Sequence, residues 1–278
     1  MDNIFVLALT GFIIGTFGTL IGAGGGFILV PLLILCNPQM PPEIITAISI
    51  FIVAVNAISG SIAYAKSGRI DYRAGIVFAL FTIPGSILGV FTTQYIPQHL
   101  FNMAFGILLI ALAVFLFFKT LKPAVVHENT RQEGKGWIHH CLTDRQGAVF
   151  NYTYNQPYGI IVSILVGFLS PLLGIGGGII HVPAMVNWLQ FPVYIATATS
   201  HFILAIMSTV SVVVHALKGS YKDPAVLKMV LALSVGVIPG AQLGAFFSHK
   251  VKSKTIIQIL AVCLILVGVR ILLKSFSI

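Results

Sequence analysis

The sequence reads Gly22-Ala-Gly-Gly-Gly-Phe-Ile-Leu-Val-Pro31 in its first half, and the pattern returns as Gly174-Ile-Gly-Gly-Gly-Ile-Ile-His-Val-Pro183, 152 positions later. Three further matches follow in the same order, at offsets between 151 and 155: Thr46–Ser49 with Thr197–Ser200, Lys66–Gly68 with Leu217–Gly219, and Ile83–Gly89 with Ile238–Gly244. Four matches in one order indicate an internal duplication. We therefore predict two homologous halves, residues 1–118 and 158–278, joined by a polar linker at residues 119–157.

The sequence around these motifs is too apolar for a water-soluble protein. Hydrophobic residues make up 57% of the chain and charged residues 8%, so polar surface could not cover a soluble globule. A helix needs roughly 20 apolar residues to cross a hydrocarbon core about 30 Å thick. Eight such stretches lie at approximately residues 4–35, 44–65, 74–93, 100–118, 158–189, 194–217, 225–247 and 255–273. We predict an all-α, polytopic protein of the inner or plasma membrane with about eight transmembrane segments.

The first and fifth apolar stretches leave two topologies open. Both are too long for one perpendicular helix and carry a Gly motif near the middle, so we expect each helix to be tilted, broken or re-entrant. If all eight stretches cross, 13 of the 16 Lys and Arg residues share one side, whereas re-entrant Gly-rich stretches leave 11 there. The positive-inside tendency makes the larger set cytoplasmic. This tally favours eight crossings and a cytoplasmic linker.

The polar residues give no sign of a metal, a cofactor or a nucleic-acid partner. His139, His140 and Cys141 in the linker are adjacent in sequence, so they lack the spacing of a tetrahedral metal site. The three cysteines lie far apart and indicate no disulfide framework. The formal charge of +9 comes from cations at the ends of apolar stretches and not from one basic face, which argues against nucleic-acid binding.

The three consecutive glycines of each motif have two interpretations. In a helix each costs about 1 kcal/mol relative to Ala, so some advantage must offset the loss. One advantage is close packing of helices through small residues. The other is a helix broken at Gly24, Gly25 and Gly26, and again at Gly176, Gly177 and Gly178. Free N–H groups at the positive end of each following half-helix would then bind a small oxyanion.

The polar residues of the apolar stretches suit an anion better than a cation. All seven acidic residues lie in termini or loops, so no carboxylate is available there to bind Na⁺ or relay protons, and hydroxyl and backbone donors remain for an anion. With the six glycines, the predicted binding set comprises Ser49, Asn56, His181, Ser200, His201 and Gln242. Each of these side chains is also a candidate for a hydrogen bond that only bridges two helices.

Histidines are the stronger candidates within this set, because ionisable groups inside a membrane are by default functional and His titrates near neutral pH. His181 and His201 have Leu29 and Ile50 at the equivalent positions of the first half. His215 lies close to the end of its stretch and is a weaker candidate. The predicted site is therefore asymmetric, and a protonated His in it would complement an anion or carry a coupled proton.

The doubled Gly-x-Gly-Gly-Gly-x-x-x-Val-Pro motif, with the two Ile-Pro-Gly elements that begin at Ile83 and Ile238, resembles the TauE/SafE family of sulfite exporters. The similarity covers nearly the whole chain. It implies a bacterial-type or archaeal inner-membrane permease that moves small sulfur-containing anions, such as sulfite or organosulfonates, usually outward. Family members differ in substrate, so the resemblance does not identify the anion.

These observations together predict a secondary carrier that passes a small anion by alternating access around the paired Gly motifs. Proton coupling and uniport both stay open. One alternative is a membrane-embedded enzyme that uses a His for acid-base chemistry, which is less favoured because the spans hold no acid to orient that His. Another is an uncoupled anion channel or a scaffold. Anion flux from liposomes, with and without a pH gradient, would separate these functions.

Overall fold

A computed structural model describes residues 3–120, 136–248, 264–265 and 267–273. Its elements are α1 (Ile4–Ile21), α2 (Gly26–Cys36), α3 (Pro42–Ser67), α4 (Tyr72–Thr93), α5 (Gln98–Thr120), β1 (Trp137–Thr143), β2 (Val149–Asn155), α6 (Gln156–Leu173), α7 (Gly178–Asn187), α8 (Val193–Lys218) and α9 (Pro224–Phe247). Residues 267–273 are also helical. Linker residues 121–135 and much of the eighth predicted stretch lie outside the described residues.

Six described helices, α1, α3, α4, α6, α8 and α9, are long and apolar enough to cross a membrane. The prediction of a polytopic, largely α-helical membrane protein is therefore confirmed, with one addition, because β1 and β2 form an antiparallel hairpin within the linker. We call the end of the molecule that carries this hairpin the hairpin end, and the opposite end the distal end.

Equivalent glycines end equivalent helices in the two halves. α1 ends at Gly22 (φ 80°) and α6 at Gly174 (φ 71°), while α3 ends at Gly68 (φ 71°) and α8 at Gly219 (φ 84°). All four adopt the left-handed conformation, in which glycine pays no Cβ penalty, and this is the usual way for a helix to stop. The repeated glycines thus set the helix boundaries.

The chain reverses direction after α1. Gly25 packs beside Ile14 of α1, so the chain has already turned back along that helix when α2 begins. Residues 36–41, where α2 ends, line a surface depression together with Asp223 at the start of α9. Ile4 at the start of α1 borders Pro224, also at the start of α9. Because α2 returns to the end where α1 began, α1 and α2 form a re-entrant pair.

The second half repeats this reversal from the opposite end. Gly177 packs beside Val166 of α6, and Leu189, just after α7, belongs to the same apolar cluster as Tyr154 of the hairpin that leads into α6. α6 and α7 therefore begin and end at the hairpin end, whereas α1 and α2 begin and end at the distal end. The halves are inverted, and the described residues do not confirm the count of eight crossings favoured by the charge tally.

The two halves also interleave. α1 packs along α9 in the same direction, through three glycines of α9 and three residues of α1: Gly236 with Ala8, Gly240 with Phe12, and Gly244 with Thr16. α4 and α6, the equivalent pair, pack alike, with Gly85 against the backbone of Ile164. Small residues let helix backbones approach closely. α3 and α8 contact each other between these two pairs.

The β-hairpin covers the hairpin end with aromatic and ionic contacts. Tyr152 lies with its ring centroid 4.8 Å from that of Phe191, and its hydroxyl donates to the buried Asp71 carboxylate at 2.7 Å. Burial, reinforced by Asp71, raises the pKa of Tyr152 above its usual range, so this hydroxyl remains a donor. Arg69 pairs with Asp144 at 3.2 Å. The hairpin is therefore docked on the α3–α4 connection.

The adjacent His139, His140 and Cys141 alternate across strand β1, so they do not converge on one point. His139 contacts the Thr153 hydroxyl at 2.7 Å, while His140 lies 2.8 Å from the Asp71 carboxylate. Cys141 is exposed. His140 thus takes part in holding the hairpin against the membrane helices.

Candidate functional site

Two sharp turns carry the candidate site: the first glycine turn, Gly22–Gly26, and the second glycine turn, Gly174–Gly178. In the first, the φ angles of residues 22, 24 and 25 are 80°, 80° and 87°, and in the second those of residues 174, 176 and 177 are 71°, 80° and 57°. A side chain at these positions would cost roughly 1–2 kcal/mol per residue. The helix is broken at both motifs, as the second interpretation of the glycines requires.

The two turns meet each other inside the protein. A Cβ on Gly26 would overlap the carbonyl oxygen of Gly174, and a Cβ on Gly178 would overlap that of Gly22. The reciprocal contact follows from the interleaving of the halves, since each turn packs on the start of the other turn. All of these glycines are buried. The structure therefore brings together the two motifs that lie 152 positions apart in the sequence.

Some backbone amides of the first turn are hydrogen-bonded to α1, and others have no acceptor among the described residues. Ala23 and Gly24 both donate to the Gly18 carbonyl, at 2.8 and 3.1 Å. Among the described residues, no acceptor contacts the amides of Gly25, Gly26 and Phe27. Unpaired amides at the start of a helix carry the positive end of the helix dipole.

The second turn has the same property. The backbone amide of Ile175 donates to the Ser170 carbonyl at 3.2 Å, and the backbone amide of His181 donates to the Gly177 carbonyl at 2.9 Å. The amides of residues 176, 177 and 179 have no acceptor within the described part of the chain. Free amides therefore occur at both turns, at the starts of α2 and α7.

Side chains from three helices surround the first turn. Thr19 Oγ1 donates to Asn56 Oδ1 at 2.8 Å, and the buried Nδ2 of Asn56 has no partner among the described residues. A Cβ placed on Gly18 would lie 2.8 Å from this Nδ2 and 2.6 Å from the Gly25 amide nitrogen. The Asn56 amide and the Gly25 amide thus both pack against Gly18, and both are donors.

His201 joins the same group from α8. Its Nε2 lies 3.3 Å from Thr19 Oγ1, and its ring meets that of Tyr64 edge to face, with centroids 5.6 Å apart. Tyr64 in turn donates to the Thr19 carbonyl at 2.9 Å. The Nδ1 of His201 is buried and has no hydrogen-bond partner in the described structure. The predicted residues Asn56 and His201 are therefore brought together beside the first turn.

Two serines, Ser49 and Ser170, contact the second turn. Ser49 donates from Oγ to the Gly174 carbonyl at 2.6 Å. A Cβ on Gly177 would meet the Ser170 hydroxyl at 3.1 Å, and the hydroxyls of Ser170 and Ser200 are buried without a partner among the described residues. Ser49 and Ser200 are predicted site residues, and of the two only Ser49 has a resolved bond to a glycine turn.

His181 and Gln242 make contacts of a different kind. His181 Nε2 lies 3.3 Å from the Ser163 hydroxyl, and its ring packs on Phe78 with centroids 6.2 Å apart. Gln242 donates to the carbonyl of Ser59 at 2.7 Å, which joins α9 to α3. These side chains bridge helices in this structure and do not join the group around Thr19.

Sequence reasoning missed Thr19, Tyr64 and Ser170. Each is one of several hydroxyl residues in an apolar helix, and such residues commonly bond to their own helix backbone. The repeat holds a usable signal, because Thr19 and Ser170 stand three and four residues before the glycine that ends their helix. Side chains one turn before a break are placed to face it.

Comparisons with known proteins agree with one another. A family profile described as Sulfite exporter TauE/SafE matches residues 7–271. Probable membrane transporter protein YunE of Bacillus subtilis (strain 168) is 32% identical over 276 residues, which cover 97% of each chain. Probable membrane transporter protein MJ0441 of Methanocaldococcus jannaschii is 27% identical over 259 residues, covering 90% of this chain and 88% of that protein. No solved structure is significantly similar to the chain.

Proposed function

Because this chain belongs to the Sulfite exporter TauE/SafE family, we propose that it is a secondary carrier that exports small sulfur-containing anions such as sulfite or an organosulfonate. The family description supports the class of anion, and the names of the relatives support transport and not catalysis. The apolar helices support a multi-pass position in the membrane.

The meeting of the two glycine turns is the observation that carries this proposal. Each turn ends in amides without an acceptor among the described residues, at residues 25–27 and at 176, 177 and 179. Backbone donors at the start of a half-helix attract an anion without the desolvation cost of a buried Lys or Arg. Asn56 adds a neutral side-chain donor at the first turn. The proposed site is thus a neutral cradle for one small oxyanion.

The inverted halves support alternating access as the mechanism. Inverted repeats with a site at their interface are a common plan for carriers, since rocking one half against the other opens the site to each side in turn. Both glycine turns are buried in this structure, which supports a site that is reached only when the halves move. We propose that movement of the α1–α2 pair relative to the α6–α7 pair opens it.

Charge supports an orientation. Lys66, Arg69, Arg73 and Arg145 lie at the hairpin end, and Lys218 and Lys222 lie at the distal end. Counted along the sequence with re-entrant Gly stretches, the side that includes the linker has 11 of the 16 cations. By the positive-inside tendency we propose that the hairpin end faces the cytoplasm of an inner or plasma membrane.

A counterflow measurement tests the proposal. Purified protein in liposomes would be loaded with sulfite, thiosulfate, sulfate or sulfoacetate, and entry of labelled anion followed from outside. A carrier accelerates labelled entry when the same anion is inside, and a channel does not. We expect saturable counterflow of one or more of the sulfur anions above protein-free liposomes. Saturable uptake without counterflow would indicate a channel, and absence of flux with all four would refute the proposal.

The site itself is tested with a matched pair of variants. Asn56 and Met207 occupy equivalent positions at an offset of 151, and both are buried. We expect Asn56→Leu to reduce counterflow at least about tenfold, because a buried donor to the anion is worth roughly 1.5–3 kcal/mol. Met207→Leu, a swap of similar volume, should stay within about twofold. Equal flux in the two variants would remove Asn56 from the site.

A further inference from the structure

One side chain beside the first glycine turn controls the hydrogen bonding of two others. Thr19 is fully buried, and its hydroxyl group lies between Asn56 Oδ1 at 2.8 Å and His201 Nε2 at 3.3 Å. A hydroxyl has one proton to donate and lone pairs with which to accept. Because the Thr19 proton goes to the Asn56 oxygen, the Thr19 oxygen can only accept from His201.

This arrangement fixes which atoms the two partners present to the turn. Asn56 keeps its Oδ1 on Thr19, so Nδ2 lies against Gly18, next to the Gly25 amide. His201 must carry its proton on Nε2 to donate to Thr19, so Nδ1 is left as an unprotonated acceptor. Both Asn56 Nδ2 and His201 Nδ1 are buried without a partner in the described structure.

The two free groups differ in their affinity for an anion. A donor such as Asn56 Nδ2 attracts an anionic oxygen, whereas the lone pair on His201 Nδ1 repels it. The repulsion disappears if a proton lies between them, either on the nitrogen or on the anion. The Gly22 carbonyl also lies beside the imidazole, and it can accept only from a ring nitrogen that carries a proton.

Within the described structure, the neighbours of the His201 imidazole carry no charge. On α3, Tyr64 faces the ring edge to face, and Gly60 lies against the Cδ2 and Nε2 edge. On α1, the neighbours are Thr19 and the Gly22 carbonyl. Within the described structure Tyr64 is thus the titratable side chain that faces His201, and its hydroxyl is already used to donate to the Thr19 carbonyl at 2.9 Å.

We propose that Thr19 is a positioning residue that presents Asn56 Nδ2 as a donor and His201 Nδ1 as an acceptor, so that the carrier takes its oxyanion together with one proton shared with His201 Nδ1. This inference rests on the proposed function. The proton comes from water on the side where the anion enters and leaves with the anion on the other side. Proton and anion therefore move in the same direction, in a ratio of one to one.

The equivalent residues of the second half cannot form such a group. Thr19 corresponds to Pro171, Asn56 to Met207 and His201 to Ile50 at the repeat offsets of 152 and 151. Pro, Met and Ile offer no comparable donor and no titratable nitrogen. The proton-binding part of the site thus belongs to the first turn alone.

Full-length protein in liposomes that contain a pH-sensitive dye tests the inference. Sulfite would be the probe, at pH 7 and above to limit leakage of the uncharged acid, and sulfite and proton movement would be measured together. We expect wild-type protein to move both in constant ratio. Thr19→Val should raise the KM for sulfite at least about tenfold and abolish the constant ratio, while Thr19→Ser, which retains the hydroxyl, should retain both properties.

Thr16→Val is the matched control, because Thr16 lies on the same helix and donates to the Phe12 carbonyl of that helix. It should match wild type. The thermal midpoint of each variant in detergent separates a folding defect from a positioning defect. If folded Thr19→Val retains the wild-type KM and proton ratio, the inference is overturned and the proposed function stands. If wild-type protein moves sulfite without protons, the inference also fails, whereas a wild-type protein that moves no sulfite refutes both.

Discussion

The first and second glycine turns share one backbone and differ in what surrounds it. Both place three glycines at positive φ, and each contacts a carbonyl of the other turn. Around the first turn lie Thr19, Asn56 and His201, joined by hydrogen bonds. Around the second, the residues at the same offsets are apolar. The two halves therefore share the backbone of the turns and differ in the side chains around it.

This contrast assigns different jobs to two kinds of residue. A glycine turn supplies amide donors whatever its neighbours are, so both turns should contribute to holding an anion. In the proposed mechanism the titratable side chain is His201, which contacts Thr19 beside the first turn. In the proposed mechanism the amide part of the site is thus symmetric, and the proton-dependent part lies in one half.

The largest effect should come from filling either turn. Gly25→Ala (φ 87°) and Gly177→Ala (φ 57°) introduce a Cβ against Ile14 and against Val166. We expect each to lower the free energy of unfolding by about 1–2 kcal/mol for the left-handed conformation and by about 1–3 kcal/mol more for crowding, and to abolish sulfite flux. Thermal unfolding in detergent and a flux assay measure the two effects.

Gly147→Ala is the control for those variants, because Gly147 also has a left-handed φ of 84° but nothing lies within 4 Å of its Cβ position. For this variant the free energy of unfolding should fall only by the cost of the left-handed conformation, and sulfite flux should be normal. If Gly177→Ala behaved like Gly147→Ala while Gly25→Ala did not, the two turns would not be equivalent, and the symmetric part of the comparison would be wrong.

An intermediate effect should distinguish the histidines. His201→Asn removes the group that contacts Thr19, and His181→Asn removes one that contacts Ser163. We expect the first variant to lose the coupling of sulfite flux to a pH gradient, and the second to keep it with a modest loss of stability. Flux measured with and without a pH gradient decides this. Coupling lost in His181→Asn and retained in His201→Asn would move the proton-dependent part to the second half.

The smallest effect is expected for Ser49 and Ser200, which are equivalent residues at the repeat offset of 151. Ser49 donates to the Gly174 carbonyl at 2.6 Å, so Ser49→Ala should cost about 1 kcal/mol of stability. The Ser200 hydroxyl is buried and unpartnered among the described residues, so Ser200→Ala should leave stability unchanged or raise it slightly. Thermal midpoints would measure both. A larger loss for Ser200 would show that it bonds at the first turn as Ser49 does at the second.

Much of the site could be anticipated from residue type. Glycines mark the breaks because only glycine adopts a left-handed φ cheaply, and Asn56 and His201 stand out because polar side chains are expensive in an apolar helix. Gln242 and His181 were selected by the same rule, yet Gln242 joins two helices and His181 contacts Ser163. Burial of a polar group demands a partner, and the sequence does not say whether that partner is substrate or protein.

The topology shows the same limit. The charge tally could not separate crossing from re-entrant stretches well, because both arrangements leave most cations on the linker side. The reversal depends on how three left-handed glycines orient the next helix, and its consequence appears only in contacts such as Gly25 with Ile14. The positions of charged residues indicate the side on which a segment ends. They do not show whether the segment crosses the membrane or turns back.

The sequence by itself indicated a membrane protein with two duplicated halves, and it marked the two glycine motifs as places of close packing or of a helix break, because hydropathy, repetition and glycine are local properties. The tertiary structure alone decided that the halves are inverted and interleaved, and that Thr19 joins Asn56 and His201. Those contacts span 37 and 182 positions. The physical reason is that a buried polar side chain bonds to whichever group packing places beside it, and packing is a property of the whole chain.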